Sequence, residues 1–187
     1  FFAACEETGT VVCLHTGASA WAPLPSPGPP FELLPTLFPV NALIAAAEWL
    51  WSGVPVRFPR LSVAMSEGGI GWVPMLIDRV DYVLAHSASG QESGSWKSEL
   101  LPSEVLRRNF WFCTIDDPSL MELRHVIGVD HIMLESDYPH ADSTWPDTQA
   151  VMEKSLAGLP EDELRMIAAG NAARLFRHPL PERDDWR

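Results

Sequence analysis

The chain has 187 residues, of which 47% are apolar and 20% charged, enough for one soluble domain with a sizeable core, spanning 1–187. A formal net charge of −12 disfavours nucleic acid and anionic membrane as partners, because phosphates reward clustered Lys and Arg. Three cysteines without a CxxC spacing, Cys5, Cys13 and Cys113, exclude a disulfide framework and predict a reducing, cytoplasmic setting.

The chain opens FFAACEETGT, which reads as a helix end running into a turn; with no initiator Met, the natural protein is expected to begin before Phe1. No basic-then-apolar leader follows, and the longest apolar run, Ala42 to Trp51, is broken by Glu48 and too short for a bilayer. Thr10 to His15 is the first strand candidate, followed by a Pro-rich loop from Trp21 to Pro35. Pro39 to Gly53 carries helix formers, Pro near its start and Gly at its end. Leu61 to Ser66 is a second strand, ending in EGGIGW, and Trp72 to His86 a helix with apolar residues at Trp72, Met75, Leu76, Val80 and Val83. The Gly/Ser-rich stretch Ser87 to Trp96 predicts a mobile loop, and Leu101 to Asn109 a short helix capped by Ser103.

Phe110 to Ile115 is the third strand and precedes a helix with Asp116 or Asp117 as its cap. His131 to Ser136 is the fourth, and 146–158 and 160–176 close the chain as helices, the last with acids at its start where the dipole favours them. Strands alternating with helices argue for a parallel sheet, and strands without polar alternation for cover on both faces.

Ligands of parallel α/β folds bind at the carboxyl ends of strands. Four strands here end in polar groups: His15, Ser66-Glu67, Asp116 and Asp137. For Asp116 and Asp117 the helix cap is the stronger reading. Imidazole and carboxylate together suit a borderline ion such as zinc, and a carboxylate beside it can take a proton from water. Spacing alone leaves His15 and Asp137 balanced between that chemistry and a satisfied polar residue with a turn former. The run SEGGIGW does not complete GxGxxG, since Pro74 holds the third position, so a tight turn is the stronger reading. No GxSxG elbow occurs. His86 borders the Gly/Ser-rich loop and could reach a substrate; Trp72 and Trp145 could line a pocket for an aromatic one. His125 and Arg124 read as solvated helix residues, and His131 as part of the stability end.

The blocks CLHTG, MSEGGIGWVP, PSEVLRRNFWFCTIDDP, GVDHIMLESDYPHADSTWPDT and GNAARLF together resemble the amidohydrolase superfamily, in the metal-dependent branch of amino-carboxymuconate-semialdehyde decarboxylase. The resemblance runs from Thr10 to Phe176. It implies the C-terminal half, strands five to eight, of a TIM-type (β/α)8 barrel with one divalent metal, zinc being the expected ion. The implied ligands are His15 and Asp137, with Asp137 also catalytic. Glu67 stands where the family places a His near the metal, so it is a further candidate for metal or substrate. His140 falls on a position beside the Asp, with a supporting or substrate role. The family's first-strand HxH is absent from this sequence. The expectation is therefore that the missing N-terminal half of the barrel lies before residue 1, and that two ligands alone hold metal poorly. The implied activity is hydrolysis of a small organic acid or ester, aromatic ones included, with nonoxidative decarboxylation and a non-catalytic binding remnant as alternatives. A homo-oligomer is left open.

Overall fold

A computed structural model describes residues 1–15, 27–86, 96–117, 119–140 and 143–180; the Gly/Ser-rich loop at 87–95, the first part of the Pro-rich loop (21–26) and Pro118 lie outside these. In chain order the elements are α1 (Phe2–Thr8), β1 (Val12–His15), α2 (Leu33–Thr36), α3 (Phe38–Trp51), α4 (Val54–Arg57), β2 (Val63–Ser66), α5 (Val73–His86), α6 (Pro102–Asn109), β3 (Phe110–Thr114), α7 (Leu120–Ile127), β4 (Ile132–Leu134), α8 (Thr148–Ser155), α9 (Glu161–Arg165) and α10 (Asn171–Phe176). The four strands form one parallel sheet in the order β1-β2-β3-β4, as strand–helix alternation requires.

Both faces of the sheet are apolar, and side-chain alternation sorts them. Leu14, Val63, Met65, Phe110, Phe112 and Ile132 join a large core with Leu50 of α3, Leu76 and Ile77 of α5 and Leu106 of α6. Ala64, Trp111, Cys113 and Met133 point the other way and pack with Leu175 of α10. Strand β3 is buried along its whole length, so its sequence, FWFCT, shows no polar alternation.

Two buried amides fix the amino ends of the strands. Asn109 Nδ2 donates to the Leu61 carbonyl at 2.6 Å, just ahead of β2. Asn171 Nδ2 donates to the carbonyls of Val129 and Ile132 at 2.8 and 2.7 Å, at the start of β4. The GNAARLF block is therefore structural. Besides Asn171, Leu175 seals the inner face and the Arg174 guanidinium lies 4.9 Å from the Trp111 ring centre. His131 packs against the same ring at 4.5 Å, at the stability end.

Several local expectations are corrected. The run 160–176 is α9 and α10 joined by a π turn, Met166–Gly170, which contributes Ile167 to the core. Leu101 is the cap residue of α6, with the Glu104 carboxylate accepting from its backbone N–H at 2.7 Å. Ser103 instead sits inside the first turn, donating its hydroxyl to Asp81 at 2.6 Å. Met75 is exposed and Ile77 takes its place in the core. Arg124 is no solvated residue: it pairs with Glu163 at 2.6 Å, with both side chains largely covered.

Replacing Asn171 with Ala leaves two strand-end carbonyls without their donor in a site 2% exposed. We expect a loss of about 2 kcal/mol, read as a lower denaturation midpoint in urea with an unchanged slope. A loss below about 0.5 kcal/mol, the scale of a surface substitution, would contradict this role.

Candidate functional site

Parallel register brings the carboxyl ends of the strands to one level. His15 is paired with Ser66, and Thr114 with Leu134, so the residues just beyond them share one mouth. Glu67 follows β2 and Asp137 follows β4, and both adopt left-handed backbone, φ +57° and +58°. Non-glycine residues avoid that region at a cost of about 1–3 kcal/mol, and such residues cluster at functional sites. The following turn, Gly68 to Trp72, explains its glycines. A Cβ on Gly68 would lie 2.5 Å from the Ala42 Cβ of α3, and Gly69 has φ +61° with Asp117 against it. The expected tight turn is what forms.

Four predicted residues converge here. His15 Nε2 lies 2.8 Å from Glu67 Oε1, and His140 Nδ1 lies 2.9 Å from Asp137 Oδ2. One ligand atom each from Glu67, Asp137 and His140 lies within 4.8 Å of the others, so the two carboxyl groups face each other. The acids are sunk, with side chains 10% and 12% exposed, while His15 and His140 form the rim at 63% and 58%. Burial first, then the adjacent Asp137 carboxylate, which favours a proton on Glu67, pushes the Glu67 carboxyl above its ordinary pKa, and the nearby His15 opposes this.

The donor set fits a divalent ion. Two converging carboxylates and an imidazole suit zinc or manganese, and the crowding that raises Glu67 is what a bound cation would relieve. The expectation counted His15 and Asp137 as ligands with Glu67 as a further candidate; the geometry clusters Glu67, Asp137 and His140, with His15 paired to Glu67.

Two predicted residues are not brought in. Trp72 is a core residue: its indole N–H donates to the Gly68 and Gly69 carbonyls at 2.9 and 3.0 Å, and its ring meets Phe112 edge-on. It braces the turn and lines no pocket. His86 ends α5, stacked on Tyr82 at 4.1 Å, and a 14-residue helix carries it about 21 Å from the strand mouth. Trp145 is exposed and meets Tyr138 at 5.2 Å in the loop after Asp137. Neither Asp116 nor Asp117 is a cap. Asp116 accepts from the Ser155 hydroxyl and Asp117 from the Thr114 hydroxyl, and the cap residue of α7 is Ser119. Sequence reasoning passed over Glu135, whose carboxylate accepts from the Glu67 N–H at 2.9 Å. The period-two alternation that places Met133 on the inner face places Glu135 there too.

A cavity of about 210 Å³ opens beside Glu67, lined by Pro35, Phe38, Pro39, Gly69, Ile115 and the two aspartates. A larger hollow of about 570 Å³ lies between α3 and α5, around Leu43, Met75 and Tyr82. Among the described residues no cluster of potential ligands converges on it. Chemistry, not volume, locates the site.

The family model described as amidohydrolase matches residues 1–178. An amidohydrolase from Mycobacterium avium subsp. paratuberculosis K-10 is similar in structure, with TM-score 0.72 and 27% identity over 93% of this chain and 44% of its own. A 5-carboxyvanillate decarboxylase from Sphingomonas paucimobilis gives 0.68 and 26% over 94% and 52%. A dihydroxybenzoic acid decarboxylase from Polaromonas sp. JS666, solved with manganese and the inhibitor 2-nitroresorcinol, shares the fold at TM-score 0.66 and 19% identity, over 94% and 52%. The chain thus spans about half the length of these structures.

Because the Glu67 carboxyl is raised above 4.5 in the fold, its ionisation works against folding, and stability falls as pH climbs from 4.5 through the raised value. In chelator-treated protein, Glu67→Gln should raise the melting temperature at pH 7 by about 2–4 °C and change little below pH 4. An equal or lower melting temperature at pH 7 would show that the pair is not under repulsion.

Proposed function

The chain belongs to the amidohydrolase family, and from that premise we propose that it carries one side of the metal centre of a nonoxidative decarboxylase acting on an aromatic acid. The observation that carries the proposal is the convergence of Glu67, Asp137 and His140, with His15 on Glu67, at the carboxyl ends of parallel strands. Decarboxylation is favoured over the hydrolysis expected from the residues by 26% identity to an enzyme acting on 5-carboxyvanillate, itself an aromatic acid. We further propose that the four strands are the fifth to eighth of a (β/α)8 barrel. Their parallel order and the half-length match to the solved amidohydrolase and decarboxylase support that reading.

In this account Glu67, Asp137 and the imidazoles of His15 and His140 are the candidates to hold a divalent ion, zinc or manganese. That ion would supply positive charge to the oxygens of the substrate. Asp137 takes up a proton through His140. It delivers it to the ring carbon that bears the carboxylate; the carbon–carbon bond then breaks, its electron pair restores the ring, and CO2 leaves. His140, bonded to Asp137 and more than half exposed, returns a proton from solvent. Glu67, held between His15 and Asp137, orients both.

Hydrolysis of a small acid or ester is the second reading, since the same Asp137–His140 pair can take a proton from water. A non-catalytic remnant is disfavoured, because a sunk pair of carboxyl groups on strained backbone costs stability and a structural role alone would not retain it.

Asp137→Asn, in the longest natural form of the protein, should lower turnover of hydroxylated benzoates about 10²–10⁴-fold while leaving the melting temperature within a few degrees. CO2 release is the readout. Full turnover in the variant would remove Asp137 from the chemistry, and ester cleavage without CO2 would replace the first reading with the second.

A further inference from the structure

Beneath the two acids lies a third that neither the metal cluster nor the proton path uses. Glu135 is the first residue after β4, and its N–H donates to the Thr114 carbonyl at 2.9 Å, so the ladder to β3 continues one residue past the strand. Its side chain leaves on the inner face. There it lies beside Cys113 of β3, and its Oε2 accepts from the backbone N–H of Glu67 at the end of β2, at 2.9 Å. One carboxylate thus ties the end of β4 to the end of β2, across β3. The tie falls on the residue whose left-handed backbone, φ +57°, aims its carboxyl at His15 and Asp137.

We infer that Glu135 is a positioning residue: its carboxylate locks the Glu67 backbone and so sets where the Glu67 carboxyl stands in the cation cluster. The inference rests on the reading of Glu67 as a member of that cluster. Burial, together with Glu135 itself, pushes the neighbouring Cys113 thiol well above the ordinary value, so no thiolate sits beside this bond. The lock differs from a general stabiliser in acting at one peptide unit. Its loss should free Glu67 without loosening the amides of β2, which belong to the sheet ladder on both sides.

Two readouts on the full chain separate this from a merely structural role. The first is hydrogen exchange at the Glu67 amide, which reports the lock whether or not metal is present. The second is the affinity for Co²⁺, with its visible spectrum as a report on ligand geometry. In Glu135→Ala the Glu67 amide should exchange at least about tenfold faster while Val63 to Met65 keep their protection. Co²⁺ affinity should fall about 10–100-fold with a changed spectrum, the size expected when a partner that orients a ligand is lost. Glu135→Gln, which keeps a carbonyl acceptor, should restore most of both. Glu135→Leu repeats the test should the Ala variant fail to fold. Unchanged exchange at Glu67 overturns the inference, and so does faster exchange with unaltered Co²⁺ affinity. If the wild-type chain binds no Co²⁺, the cation reading itself fails, and the exchange experiment alone decides whether Glu135 holds Glu67.

Discussion

The structure turns on the close approach of two sunk carboxyl groups, Glu67 and Asp137, at the ends of strands that are not neighbours. Strand β3 lies between them, so the approach depends on a parallel sheet whose register is level. Left alone, two carboxylates in partly dry surroundings repel, and the fold tolerates them through an imidazole on each and a raised pKa on one. A divalent cation is the group that would turn this liability into a gain, which is why the arrangement reads as a binding centre and not as a decorated surface.

Strain and support sit at opposite ends of the sheet. At the amino ends, Asn109 and Asn171 saturate strand carbonyls in places almost free of solvent, and the Trp111 ring is held between Arg174 and His131. At the carboxyl ends, two non-glycine residues adopt left-handed backbone and the polar groups are partly exposed. This division is the one a barrel enzyme requires: one rim is spent on stability so that the other can hold groups in costly positions.

Much of this was legible in the sequence, for physical reasons. Apolar runs flanked by Gly and Pro marked all four strands, and the alternation with helices fixed their parallel order. That ligands gather at strand carboxyl ends made His15, Glu67, Asp116 and Asp137 candidates, and the family resemblance, not spacing, gave His15, Glu67 and Asp137 their weight. The errors came where short-range preference was outvoted by tertiary partners. Ser103 suits a cap, yet Asp81 claims its hydroxyl; Asp116 and Asp117 suit caps, yet Ser155 and Thr114 claim them. Trp72 suits a pocket wall, yet its indole is needed to satisfy the Gly68 and Gly69 carbonyls. Nothing in the local sequence announces left-handed backbone at Glu67 or Asp137, since neither residue is glycine, and the bond from Glu135 spans 68 positions.

The most direct test of the central claim, that these side chains form one cation centre, is anomalous diffraction from crystals of the chain soaked in Mn²⁺. The account predicts a single peak among the side chains of Glu67, Asp137, His15 and His140, and loss of that peak in Asp137→Asn. No peak there, or one elsewhere, would contradict it.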